Sequence, residues 1–289
     1  MRESNIMQVD LEHFYCDYHI DVKKWEDVEE WNQYRERTVS STERLLHVFE
    51  KKGVTATFFV LGCVAKRYPD LIEKIQCAGH EIGSHGYWHE LATRQTAQEF
   101  SKDLEQSLGA LESIISDKII GYRACNCSLN ESTSWIIDIL KRHGFKYDSS
   151  IFPFKTYYYG VPDAPIFPYH ISSENIKVDS SKGGLVEFPL SMYRIPVLQR
   201  NIPFSGGFYF RFWPYWFVKH SLRKLNKTRR PGVCYVHNWE LDPDQPRIDL
   251  LRGRFYHYWG LQKTEEKLNK LLTDFSFIST RDWIELKDF

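Results

Sequence analysis

No apolar stretch of this 289-residue chain approaches the roughly 20 residues needed to cross a bilayer. No leading apolar segment has the pattern of a signal peptide. Neither sign of charge is in excess, because Lys+Arg and Asp+Glu both total 38. That balance argues against a generic nucleic-acid binder, which carries a basic field. The one basic run, RKLNKTRR at 223–230, reads as a solvated helix end and loop. Disulfide and zinc-knuckle spacings are also missing among the six cysteines, at 16, 63, 77, 125, 127 and 234. Cys125 and Cys127 form the only close pair, and two thiolates do not make a metal site. The cysteines are expected to be mostly free and buried, as in a reducing compartment. The expectation is a cytoplasmic protein, working in solution or near the inner face of the membrane.

Aromatic residues are abundant: 19 Phe, 17 Tyr and 9 Trp. Many fall in 152–170 and 204–217, outside clean amphipathic periods. Aromatic faces pack on sugar rings as well as in cores, and composition alone favours the core. Elsewhere apolar patterning alternates between strand and helix, so the fold class is α/β, as a barrel or an open sheet. MQVDLE at 7–12 predicts a strand ending in acidic residues. Ser40 and Glu43 read as a capping box before a helix closed by Gly53, and VTATFFV at 54–60 as the next strand. Pro69 opens a short helix. HEIGSHG returns as a strand, and Thr96 with Glu99 form another capping box. KIIGYR is a strand, Asn130 caps a helix through Arg142, and FKYDSS begins another strand. Long loops and short strands are expected over 152–214. Pro214 then opens a helix through Leu225, VCYVH is a strand, KTEEKLNKLLTDF an amphipathic helix, and FSFIS a last short strand.

Polar residues collect where these strands end. In Asp10-Leu11-Glu12, strand alternation puts both carboxylates on one side and Leu11 on the other. His85 and His89 are four apart across Gly86, where a turn can bring them together. Two histidines and a carboxylate suit Zn²⁺ or a similar ion and leave positions open for water. Glu12 is the candidate third ligand and Asp10 the candidate base, with His13 and Asp17 as competitors for these roles. Arg123, ending KIIGYR, can hold Asp10 ionised through a paired hydrogen bond. His237, ending VCYVH, can protonate a leaving nitrogen if a carboxylate keeps it cationic; Glu240, Asp242 and Asp148 are candidates for that partner. Trp88, Tyr122 and Trp239 stand beside these residues, either as sugar-facing walls or as core packing. Taken singly, each of these residues also has an ordinary structural reading.

These motifs resemble the polysaccharide deacetylases of the NodB-homology class, carbohydrate esterase family four. VDLEHF is similar to the Asp-x-Glu form of the first family motif, SHGYWH to the second, GYRAC to the Arg-x-Pro motif and YVH to the late histidine motif; ATFFVLG and AGHEIGSHG are further points of likeness. The resemblance implies a distorted (β/α)7-type barrel with an extended C-terminal region, a single domain over 1–289 with the barrel to about 240 and the extension packed on it. It implies Asp10 as base, Glu12, His85 and His89 as ligands, Arg123 orienting the base, and His237 as acid. The family proline is Cys125 here, and the resemblance places an oxyanion-holding N–H at Asn126. The divalent ion is expected to be Zn²⁺, with Co²⁺, Ni²⁺ or Mn²⁺ as alternatives, and no organic cofactor is required. YDSSIFP, YGVPDAP, EFPLS, GGFYFR, HNWELDPDQPR and FYHYWGLQKTEEKL are similar to a branch found with exopolysaccharide biosynthesis and exosortase loci. That branch implies removal of N-acetyl groups from amino sugars of a polysaccharide or a lipid-linked precursor. The alternatives are hydrolysis of a small non-peptide amide and an inactive glycan-binding homologue.

Overall fold

The computed structural model describes residues 3–16, 36–157, 159–181, 184–195, 197–198, 200–247 and 254–287. Asp17, an expected competitor for the acidic roles, lies outside them. The chain divides into two compact units, each discontinuous in sequence: one of 1–58, 73–81 and 204–289, the other of 59–72 and 82–203.

In the first unit, β1 (Asn5–Leu11) is buried along its whole length. It runs parallel to β10 (Val233–His237) in a register that puts Asp10 opposite His237. A second parallel partner, β11 (Phe277–Ile278), comes from the chain's last stretch. The two uncharged polar residues of β1 are paired: Gln8 Nε2 donates to Thr280 Oγ1 at 3.2 Å, and Asn5 Oδ1 accepts from Gly232 N at 2.9 Å. Unpaired, each would cost roughly 1–3 kcal/mol. Helix α1 runs Glu36–Lys52. Ser40 therefore sits inside it and donates to Arg37 O at 3.2 Å, so the expected Ser40–Glu43 capping box does not form. Gly53, at φ 60°, does end the helix, in the left-handed conformation that glycine adopts without strain.

In the second unit, strands β3 (Glu81–Ser84), whose first residue belongs to the other unit, β4 (Gly121–Tyr122), β5 (Tyr147–Asp148) and β7 (Leu185–Glu187) lie side by side in parallel, and β6 (Tyr169–Ile171) is antiparallel to β7. Helix α4 (Ala97–Glu112) lies between β3 and β4 and α5 (Ile136–Arg142) between β4 and β5, while α2 (Gly62–Arg67) and α3 (Pro69–Cys77), whose residues from 73 onward belong to the other unit, precede β3. The Thr96–Glu99 capping box forms as expected, and Phe100, Leu104, Ser107 and Leu111 make the buried face of α4. Asn130 caps a short 3₁₀ turn, Glu131–Thr133, rather than α5 itself; α5 starts only at Ile136. The loop-rich stretch 152–214 carries β6, β7 and the hairpin β8 (Met192–Ile195) and β9 (Arg200–Pro203).

Strand β2 runs Thr57–Val60; within the first unit β1 lies between β10 and β11, and within the second the order is β3-β4-β5-β7-β6. Parallel strands with intervening helices make the α/β fold class expected of a distorted (β/α) barrel. The C-terminal helices follow it: α8 (Arg254–Tyr258), α9 (Thr264–Asp274) and α10 (Thr280–Lys287). Before them, α6 (Gly207–Phe212) and α7 (Tyr215–Asn226) precede β10, and α7 begins after Pro214 as expected.

Candidate active site

In the second unit the chain turns sharply after β3. Gly86 is left-handed, at φ 75°, and a Cβ there would lie 2.9 Å from Asp103 Oδ2. That carboxylate accepts from Tyr87 N at 2.7 Å and from Trp88 N at 3.3 Å. Asp103, on α4, thus fixes the turn from one end of the histidine pair to the other. His89 closes it at φ 59°, a conformation that costs a non-glycine residue about 1–3 kcal/mol and is usually retained for function. The two imidazoles end with their centroids 5.6 Å apart, both buried. His85 Nδ1 lies 2.8 Å from Arg123 O, which requires its proton on Nδ1 and leaves Nε2 as the lone-pair nitrogen.

Cys125 joins this pair. Its Sγ lies 3.0 Å from His85 O, and the ligand atoms of His85, His89 and Cys125 all lie within 4.8 Å of one another. Borderline-soft nitrogen and sulfur donors suit Zn²⁺ and its neighbours. The group is buried and one ring is already locked in a ligating tautomer, so the residues fit a divalent ion. The sequence reading had set Cys125 aside as a ligand; the fold brings its sulfur to the histidines. After it, Asn126 and Cys127 are both left-handed, at φ 52° and 49°. Cys127 N and Ser128 N are bonded to Ala124 O and Cys125 O. Asn126 N–H has no such partner among the described residues, consistent with a donor kept for a ligand.

Arg123 is 1% exposed. Nε donates to Ser149 O at 2.8 Å and Nη2 to Ser149 Oγ at 2.9 Å, and the guanidinium lies 4.6 Å over Phe59. Beside it, Asp148 and Glu187 face each other across β5 and β7, both with no exposure. Asp148 Oδ1 accepts from Ser150 Oγ at 2.6 Å and Glu187 Oε1 from Ile151 N at 2.9 Å. The other oxygen of each is buried without a donor. Burial, followed by the charge of Asp148, pushes Glu187 well above the carboxylate range. One proton held between the two carboxyls satisfies both orphaned oxygens and leaves one negative charge for Arg123. Asp148 thus has Glu187 and Arg123 as its charged neighbours.

The first unit carries a second cluster. Asp10 and Glu12 share a face as expected: His237 Nε2 is 3.9 Å from Asp10 Oδ2 and 3.7 Å from Glu12 Oε1. After His237 the chain makes a 3₁₀ turn, Asn238–Leu241, that folds Glu240 back. Glu240 Oε2 accepts from His237 N at 2.9 Å and lies 3.4 Å from Nδ1. Among the three carboxylates considered, Glu240 is thus the partner. Burial alone would lower His237; the contact with Glu240 and the charges of Glu12 and Asp10 outweigh it and lift it to about 9. Glu240 itself is opposed by burial, but the Arg211 and His237 charges hold it down at about 2. Asp242 instead pairs with Arg37 at 2.7 Å.

Several residues here were missed in the sequence. Arg211, 29 to 48 residues from the partners it binds, donates to Glu240 Oε1, to the carbonyls of His257 and Tyr256 at 2.8 and 2.9 Å, and to that of Trp259. Trp239 is buried and stacked between His237 and His257, with centroids 4.7 and 4.4 Å away, and its Nε1 donates to Glu12 Oε1 at 2.9 Å. It is therefore a packing and positioning residue rather than a sugar-facing wall, and Tyr122 is likewise buried. Asn238 Oδ1 accepts from Glu12 N at 3.1 Å. His13, another competitor for the acidic roles, is occupied with Thr38 Oγ1 at 2.6 Å. In the sequence the adjacency of His237, Asn238, Trp239 and Glu240 signals Trp239 and Glu240, but not the contacts that Asn238 and Arg211 make.

Comparison with known proteins agrees with this chemistry. Residues 32–147 match the family described as Polysaccharide deacetylase, and residues 149–285 match a domain of unknown function (DUF3473). A peptidoglycan deacetylase of Helicobacter pylori is 31% identical over 156 residues, 52% of each chain. The peptidoglycan-N-acetylmuramic acid deacetylase PdaA of Bacillus subtilis is 39% identical over 64 residues, covering 22% of this chain and 24% of its own. The chain thus spans about half the length, or less, of these curated relatives. Two solved structures share the fold at TM-score 0.60: a presumed polysaccharide deacetylase from Mycobacterium smegmatis, 19% identical over 99% of this chain and 90% of its own, and PuuE allantoinase, 14% identical over 96% and 87%. The chain is thus similar to polysaccharide deacetylases over residues 32–147, and its fold is that of the two solved structures.

Proposed function

We propose that this protein is a metal-dependent N-deacetylase acting on amino sugars of a polysaccharide or of its lipid-linked precursor, in an exopolysaccharide pathway. The observation that carries the reading is the buried pair His85 and His89, with His85 held by Arg123 O in the tautomer that offers Nε2 to a metal. The family motif assigns Glu12 as a further ligand, and the histidine-rich donor set favours Zn²⁺. A divalent ion held by these residues would polarise the acetamide carbonyl and make water more acidic. Asp10 is assigned to take the proton from the attacking water, with Arg123 orienting it. Asn126 N–H is assigned to the oxygen that becomes negative, an interaction worth about 3 kcal/mol in other enzymes. His237, kept cationic by Glu240, is assigned to protonate the amine as acetate leaves.

The test is acetate release from a panel of N-acetylated oligosaccharides and polysaccharides, using chelated protein, zinc-reloaded protein and the Asp10→Asn variant. Release that needs metal and disappears in Asp10→Asn supports the reading, and the panel then ranks the sugars. Stoichiometric metal binding without release from any glycan rejects it in favour of a small amide substrate or a binding role.

A further inference from the structure

We propose that the aromatic surface built by α6, α7 and α8 docks onto an anionic lipid bilayer. Phe208 is its centre, with ring centroids 5.4 Å from Phe212, 6.0 Å from Phe255 and 4.8 Å from Tyr256. Trp259 extends it, 5.0 Å from Phe255. From Phe212 the ring contacts continue through Trp213 and Phe217 to Trp216, at 5.1, 4.7 and 5.9 Å. These rings pack on one another and still face water. Exposure is 43% at Phe212, 68% at Trp216, 54% at Phe255, 53% at Tyr256 and 44% at Trp259. Half-exposed rings of this size leave on the order of 500 Å² of contiguous apolar surface, at the upper end of what a monomer shows without a partner.

Charge identifies the partner. Trp216, His220 and Arg223 on α7 and Lys227, which caps its C-terminus, are spaced at four, seven and eleven residues, so they form one exposed stripe running from the aromatic end to a basic end. Arg229 and Arg230 follow, also exposed. One acid packed against α7, Asp274, is occupied by Lys219 at 2.6 Å and by the Tyr215 hydroxyl. A neutral chain has therefore gathered its basic run beside a cluster of exposed aromatics. Trp, Tyr and Phe settle at the headgroup level of a bilayer, and adjoining Arg and Lys reach anionic headgroups. Such a contact would also bring the protein to a lipid-linked substrate, but it stands on this surface alone and holds whether or not the deacetylase reading does.

The test is co-sedimentation of the full chain with vesicles of phosphatidylcholine, and of phosphatidylcholine mixed with phosphatidylglycerol. We expect recovery with the mixed vesicles that falls with added salt, and a blue shift of tryptophan emission on binding. The variant Trp216→Ser/Phe255→Ser and the variant Arg223→Glu/Lys227→Glu should each bind more than about tenfold more weakly. The second variant alters only exposed polar side chains, so it tests the proposal even if the first folds poorly. No difference between vesicle types, or unchanged binding by the charge-reversed variant, overturns it. So does a dimer in light scattering that Trp216→Ser abolishes, which would make the surface an interface between two copies.

Discussion

The replacement Glu240→Gln isolates one buried charge. Glu240 has no exposure; one oxygen receives Arg211 Nε and the other His237 N. Glutamine keeps the shape and one acceptor but removes the counter-charge, leaving a guanidinium that is 2% exposed with backbone carbonyls as its remaining partners. Breaking a buried pair in this way costs about 3–5 kcal/mol. An independent route gives a similar size: a carboxyl lowered from 4.5 to about 2 contributes about 3 kcal/mol by linkage. The sign follows from the direction. A depressed carboxylate stabilises fully above its unfolded value, and the contribution is lost as pH falls from about 4.5 towards 2. Urea unfolding at pH 7 should therefore show Glu240→Gln about 3 kcal/mol less stable than wild type. The difference should narrow steadily below about pH 4.5. Replacing both Arg211 and Glu240 with methionine should recover part of the loss, because it leaves no uncompensated charge. A Glu240→Gln protein within about 0.5 kcal/mol of wild type at pH 7 would refute the reasoning.

Three further outcomes are expected. Burial holds His80 down at about 4 despite the charge of Asp282, and its Nδ1 accepts from Ala56 N at 3.1 Å; stability should fall as pH drops from 6.5 towards 4, and His80→Asn, which keeps an acceptor, should flatten that fall in pH-dependent melting curves. If one proton is held between Asp148 and Glu187, infrared spectra at pH 7 should contain a protonated-carboxyl stretch that Glu187→Gln removes, with a stability change under about 1 kcal/mol; its persistence in that variant would assign the proton elsewhere. Cobalt-loaded protein should show a sulfur-to-cobalt charge-transfer band that Cys125→Ser abolishes while cobalt remains bound; bound cobalt without the band would show that the thiol stays outside the coordination sphere.

The strand ends were legible because burial and alternation leave few choices. An Asp-x-Glu closing an apolar run must put both carboxylates on one face, and they do meet at His237. The helices whose apolar spacing and caps agree, such as Thr96 to Glu112, were readable for the same reason. Ser40 misled because a serine three before a glutamate also occurs within a helix, where its hydroxyl bonds back to a carbonyl. Arg211 left no local trace. Its partners at 240, 256 and 257 are set by how the stretch after β10 folds back, which no periodicity encodes.

Cys125 shows why such sites need both sequence and fold. As a string, GYRACNC only records a missing proline. Proline fixes φ and has no N–H to place, whereas here the next two residues turn left-handed, and the amides after Asn126 are spent on local carbonyls. The strain of two consecutive left-handed non-glycine residues, of order 1–3 kcal/mol each, is retained where it presents one amide and one sulfur beside two histidines. The loss of the proline is thus compatible with an intact donor at Asn126. It also puts beside His85 and His89 a soft sulfur atom that a proline could not supply.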